Sequence, residues 1–231
     1  MDLSAFQIQS ILVSVFILVI SVALHEFGHA YMADRLGDDT PRRQGRVTLN
    51  PLAHADPIGT LLLPLVGGIY SGGAGGGFGW GKPVQWQPHR VRRGIRMATA
   101  NILVSFAGPF MNLVLATVIT LTHVILVWRG VLDFRMEHDQ MSVDRVLTFA
   151  AGTNFVLFFF NLLPVPPLDG GHIASAFMPT RYRAQWDDVA KFGPFVILGI
   201  MLIPQIRQIF LVPAMWCTAH LYQGLFALFG M

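Results

Sequence analysis

Cysteine and charge are what this sequence is short of. A single cysteine, Cys217, stands among 231 residues, which excludes an internal disulfide and a cysteine-rich zinc site. It is read as a thiol in an apolar core. Charged residues make up 13% of the chain and hydrophobic ones 53%, about half the charge of an ordinary soluble domain. The mean hydropathy is +0.54. That balance excludes a soluble globular protein, and the length predicts one membrane-embedded domain over 1–231, with a core of about 6–180 and additional membrane or interfacial helices over 190–231. Phosphate-loop chemistry is missing too: Gly81-Lys82 is followed by Pro83 rather than Ser or Thr, so the glycine run before it is not a nucleotide cradle. The net charge of +3 comes from clustered basic residues, whose placement bears on membrane topology and not on nucleic acid.

Long apolar runs are what the sequence has. Phe6 to Leu24 carries no charge and is about as long as a helix that crosses a bilayer. Ser21-Val22-Ala23 resembles a cleavage site, but no basic residue precedes the run, so it is read as a retained span and not a signal peptide. Ile102 to Trp128 and Val146 to Leu163 are further candidate spans. Phe192 to Ile206 and Ile209 to Phe229 read either as two short spans or as one span with an interfacial helix. The fold class expected is an all-α polytopic membrane protein of four to six transmembrane helices.

Basic residues orient those helices. Nine of the sixteen Lys and Arg residues lie between Asp34 and Arg96, which places that loop on the cytoplasmic side. The segment after Leu163 returns to the same side. Within the first loop, Leu61 to Ile69 is apolar but too short to cross, and a glycine-rich stretch with Gly72, Gly73, Gly75, Gly76 and Gly77 follows. It reads either as a surface loop or as a re-entrant loop or β-hairpin, which is tolerated at membrane depth only if it is buried in protein or lines a cavity.

At the end of the first span stands His25-Glu26-Phe27-Gly28-His29. Ionisable residues are expensive there and mark function. On a helix, His25 and His29 share a face and can bind one metal, with Glu26 beside them as a general base. Two histidines hydrogen-bonded at a membrane interface are the plainer alternative. A catalytic zinc takes three protein ligands. Asp169 follows the stiff run Pro164-Val165-Pro166-Pro167 and is a candidate third ligand, or a helix N-cap. Asp56 and His172 are its rivals. His54, His89, His123, His138 and His220 are scattered and read as ordinary.

Taken together, HEFGH, Phe106-Ala107-Gly108-Pro109-Phe110-Met111-Asn112 and the run from Asn161 to Asp169-Gly170 resemble the site-2 protease family of intramembrane zinc metalloproteases. The residues 50–60 and 79–84 resemble its compact branch, without PDZ or CBS domains. The resemblance implies one Zn2+ per chain on His25, His29 and Asp169, with Glu26 as the catalytic base. It implies that Asn112 and Asn161 steady the substrate or the oxyanion, and that the glycine-rich loop pairs with an extended substrate. The implied function is a zinc-dependent endopeptidase cleaving transmembrane segments of single-span membrane proteins in regulated proteolysis, multi-pass in the cell (inner) membrane, with its site toward the cytoplasm. Its partners would be those substrates and the lipid bilayer, with no nucleic acid and no nucleotide. A metal-binding transporter or an inactive scaffold is the alternative; the internal repeats of many transporters are not found.

Overall fold

A computed structural model describes residues 3–73, 79–134 and 141–231. Among the described residues the chain forms α-helices and short helical turns, with no strand. The helices are α1 (Ala5–Leu36), α2 (Thr40–Arg43), α3 (Leu63–Tyr70), α4 (Met97–Trp128), α5 (Val143–Asn161), α6 (Asp169–Phe177), α7 (Arg183–Lys191), α8 (Gly193–Leu202) and α9 (Pro204–Leu228). Four of them, α1, α4, α5 and α9, are long and apolar enough to cross a membrane.

The start of α1 is set by a capping box, in which Ser4 and Gln7 satisfy each other's backbone N–H. Its end is set by Gly37 at φ 113°, a left-handed conformation that costs glycine little. Between them the helix runs 32 residues, about 48 Å, so the expected span continues unbroken through HEFGH. The central element is α4, which packs on α1, α5 and α6, while α9 packs on α5 and less extensively on α4. The C-terminal region resolves into the ten-residue α8, too short to cross, followed by one spanning-length helix. Both join a core of Phe160, Leu168, Ile197, Ile200 and Phe210.

The first loop folds back along α1. It leaves the C-terminal end of that helix, and then a π-helical turn (Pro57–Leu62) and α3 carry it toward the N-terminal end. There the Ser10 hydroxyl donates to the Gly73 carbonyl at 2.9 Å. The chain returns as an extended run, with Gly81 against Val22 and Glu26. From Gln7 to Glu26 is nineteen residues of α1, roughly 28 Å, so the described parts of this loop form one helical and one extended arm laid along that length. Residues 74–78, which include Gly75, Gly76 and Gly77, lie outside the described residues.

Candidate metal centre

Two glycines let α1 and α4 approach closely. A Cβ on Gly28 would collide with Met111 at 2.7 Å, and one on Gly108 would collide with both the His29 ring and His25 Nε2. Small residues at such a crossing allow backbones to touch in a membrane. The HEFGH face of α1 is thereby sealed against the Ala107–Met111 segment of α4, and His25, Glu26 and His29 are all buried.

The third group comes from the turn between α5 and α6. Prolines 164, 166 and 167 keep that turn from continuing α5. Gly170 and Gly171 pack without side chains against the backbone of residues 162–166. The N-cap of α6 is Leu168, and Asp169 is the first helical residue. The structure thus sets the N-cap alternative aside: the Asp169 carboxylate turns toward the two histidines. Its Oδ2 lies 3.1 Å from His25 Nε2 and its Oδ1 lies 3.3 Å from His29 Nε2. The two Nε2 atoms are 3.0 Å apart.

Protons can be assigned from the partners. His29 Nδ1 lies 2.7 Å from the Val104 carbonyl, which can only accept, so Nδ1 carries the hydrogen. His25 Nδ1 lies 2.7 Å from Asn112 Oδ1. The amide nitrogen of Asn112 donates to the Ser21 carbonyl at 3.2 Å and to Asn154 Oδ1 at 2.9 Å, which fixes the oxygen toward His25. In its neutral form each imidazole therefore turns an Nε2 lone pair toward the carboxylate. Three converging acceptors repel unless a cation sits among them. Bonds of about 2.0–2.2 Å at tetrahedral angles separate zinc ligands by about 3.3–3.5 Å, close to the spacings found. Two imidazoles and a carboxylate, with the rear nitrogens held by an amide and a carbonyl, fit zinc in donor type and in support. Among the described residues this is the one His/Cys/Asp/Glu group able to hold a metal.

Glu26, on the same helix, reaches the returning arm of the first loop. Its Oε2 accepts from the Val84 N–H at 3.0 Å and stands 4.0 Å from Arg46 Nη2. Arg46 is buried and also donates to the carbonyls of Ala53 and Lys82. Burial pushes its guanidinium below its ordinary value, and Glu26 opposes that shift. Lys82 N–H donates to the His54 carbonyl at 2.8 Å, and Trp80 N–H to that of Gly59 at 3.2 Å. The run 79–84 is thus fastened beside Glu26 by the loop 46–60.

The other sequence candidates are distributed as follows. Asn112 sits behind His25 with both amide hydrogens engaged, so it orients an imidazole and has none to offer a substrate. Asn161 gives one amide hydrogen to the Leu157 carbonyl at 2.9 Å and has no hydrogen bond to the trio. Gly72 and Gly73 lie against Gln7, at the far end of α1, so the extended run beside Glu26 is 79–84 instead. Asp56 caps the turn at Pro57 by accepting from Ile58 and Gly59. His172 and His89 are exposed, and His220 stacks on Trp216. His54 bonds to the Thr48 carbonyl at 2.9 Å; burial, reinforced by Arg46, pushes it below its ordinary value. His138 lies outside the described residues. Arg46, Asn154 and Gly108 were missed as site residues. Arg46 counted as one charge of a basic loop, Gly108 stood in the quoted Phe106–Asn112 motif without a role of its own, and Asn154 carries no signal at the level of sequence.

Residues 130–204 match the model of Peptidase family M50. The Bacillus subtilis protein "Putative zinc metalloprotease YwhC" is 36% identical over 187 residues, covering 81% of this chain and 78% of that one. "Putative zinc metalloprotease Rip2" of Mycolicibacterium smegmatis is 33% identical over 222 residues, covering 88% of this chain and 74% of that one. Its Mycobacterium tuberculosis namesake is 29% identical over 210 residues, covering 86% and 70%. No solved structure gives a significant match. With such identity over most of both chains, and four helices among the described residues long and apolar enough to cross a membrane, this chain belongs to peptidase family M50, the site-2 protease family of zinc metalloproteases.

Proposed function

We propose that this protein is an intramembrane endopeptidase that cuts single-span membrane proteins within or beside their transmembrane segments. The observation that carries the reading is the convergence of His25 Nε2, His29 Nε2 and the Asp169 carboxylate, with Glu26 adjacent, in a buried place. Gly108, which touches both imidazoles, lies eleven residues into α4, roughly 16 Å from its start. The site therefore belongs below the end of a spanning helix and not on a soluble face. The basic loop 35–96 adjoins that end, since Arg92 N–H donates to the Leu36 carbonyl at 2.9 Å, which supports a cytoplasmic orientation in the cell membrane.

Zinc held by His25, His29 and Asp169 would bring a water toward a near-neutral pKa and polarise the scissile carbonyl. Glu26 takes the proton of the attacking water and delivers it to the leaving amine. Val84 N–H holds one carboxylate oxygen of Glu26 in place and leaves the other for that water. Asn161 retains one amide hydrogen for the substrate carbonyl. A substrate helix hides its carbonyls in i to i−4 bonds, so it must open before attack. The extended run 79–84 is the backbone beside Glu26 against which an opened substrate strand can lie. Cleavage of a single-span protein frees its cytoplasmic part, which suits regulated proteolysis.

The test is purified protein with a single-span substrate. About one zinc per chain is expected, together with cleavage that stops on chelation. Glu26→Gln should retain zinc, lose about 10²- to 10⁴-fold in rate, and trap single-span proteins in its own membrane. Full cleavage by Glu26→Gln would overturn the proposal.

A further inference from the structure

We propose that Asn154, supported by Ser21, is a positioning residue for the metal centre: it fixes which nitrogen of His25 faces the cation. This rests on the zinc reading of His25, His29 and Asp169. Asn154 lies on α5, fully buried, and its hydrogen bonds go to none of the three ligands. All its polar atoms are engaged. Its amide nitrogen donates to the Ala150 carbonyl and to Ser21 Oγ, each at 2.9 Å. Its Oδ1 accepts from the Asn112 amide nitrogen at 2.9 Å.

An amide has nearly the same shape with its oxygen and nitrogen exchanged, so packing alone does not orient Asn112. What orients it are groups that can only accept. The Ala150 carbonyl compels the Asn154 nitrogen to face its own helix, and that turns Oδ1 toward Asn112. Asn112 must then present nitrogen to Asn154 and to the Ser21 carbonyl, and oxygen to His25. His25 Nδ1 in turn must hold the proton, and Nε2 is left with the lone pair that a cation needs. The order runs from a backbone carbonyl of α5 through two amides to an imidazole of α1, crossing α4. A buried amide in a membrane is costly unless every atom is paired, and every atom here is. A second consequence follows from connectivity. The helix that carries Asn154 runs on into the proline turn that presents Asp169, so one residue ties the two halves of the ligand set together.

The experiment measures zinc affinity by chelator competition on the purified full chain, for wild type, Asn154→Ala, Asn154→Asp and Tyr222→Phe. Asn154→Ala removes the acceptor for Asn112 and should weaken zinc about tenfold, the lower end for groups that support a ligand. Asn154→Asp, protonated in so buried a place, keeps an acceptor for Asn112 and a donor for Ala150, and should restore affinity to within a few-fold of wild type. Tyr222→Phe breaks an equally buried bond at the other end of the helices and should leave zinc affinity unchanged. Histidine 15N shifts of the zinc-loaded wild type should show His25 protonated at Nδ1. Wild-type affinity in Asn154→Ala, an equal loss in Asn154→Ala and Asn154→Asp, or a His25 proton on Nε2 would each overturn the inference. Should Asn154→Ala fail to fold, the spectrum still tests the inference, since a His25 proton on Nε2 overturns it. Wild type without bound zinc would instead strike at the proposed function.

Discussion

Two buried polar clusters lie along α4, and they differ in a single respect. Toward the C-terminal end of the helix, His123 bonds through Nδ1 to the Tyr222 hydroxyl and through Nε2 to Asp144 Oδ1, each at 2.9 Å. Both nitrogens of that imidazole have a protein partner, and the cluster ties α4, α5 and α9 together beneath Phe134. Around Gly108, two imidazoles are held at the rear by an amide and a carbonyl, and both front nitrogens converge on one carboxylate, at 3.1 and 3.3 Å, and on each other at 3.0 Å. Burial is alike in the two places and so is the mix of residue types. A closed set of donors and acceptors holds helices together. An excess of acceptors around one point calls for a cation.

That contrast can be broken by substitution at either end. The largest effect is expected from Asp169→Ala. It should lower zinc affinity by more than the roughly 10- to 100-fold typical of supporting residues and abolish peptide cleavage, as read by metal content and substrate assay. His123→Leu should come next. It strands the Asp144 carboxyl in a buried place, at a cost of about 3–5 kcal/mol, as read by thermal unfolding in detergent, while folded protein keeps its zinc. An equal loss of zinc in His123→Leu and Asp169→Ala would erase the distinction between the clusters. Gly108→Ala drives a methyl into both imidazoles. It should slow cleavage by about 10²-fold, close to 2.7 kcal/mol of barrier, as read by initial rates with one single-span substrate. Tyr222→Phe is expected to have the smallest effect, a loss of about 0.6 kcal/mol in stability with unchanged cleavage.

The spanning helices were legible because the bilayer fixes a length and excludes charge, and both leave marks along the chain. HEFGH was legible because i and i+4 share a helical face whatever surrounds it. Asp169 could be nominated but not chosen over Asp56 or His172, since the choice depends on where a proline turn aims a carboxylate. The glycine-rich stretch drew attention away from its neighbours. Glycine signals freedom without direction, and Gly72 and Gly73 proved to lie against Gln7 at the far end of α1, while the run beside Glu26 is 79–84. Asn112 was flagged through its motif, but its role depended on the hydrogen bonds of Asn154 and Ser21. Those two residues are distant in the chain and have no periodic relation to it.

By itself the sequence determined that this is a membrane protein with a histidine pair and a glutamate on one helix, because hydropathy and helical periodicity are local properties. The tertiary structure decided which carboxylate faces that pair, which nitrogen each imidazole presents, and which backbone lies against Glu26. Those matters turn on contacts between helices separated by tens of residues, and on amide orientations set by single backbone carbonyls, which no local pattern encodes.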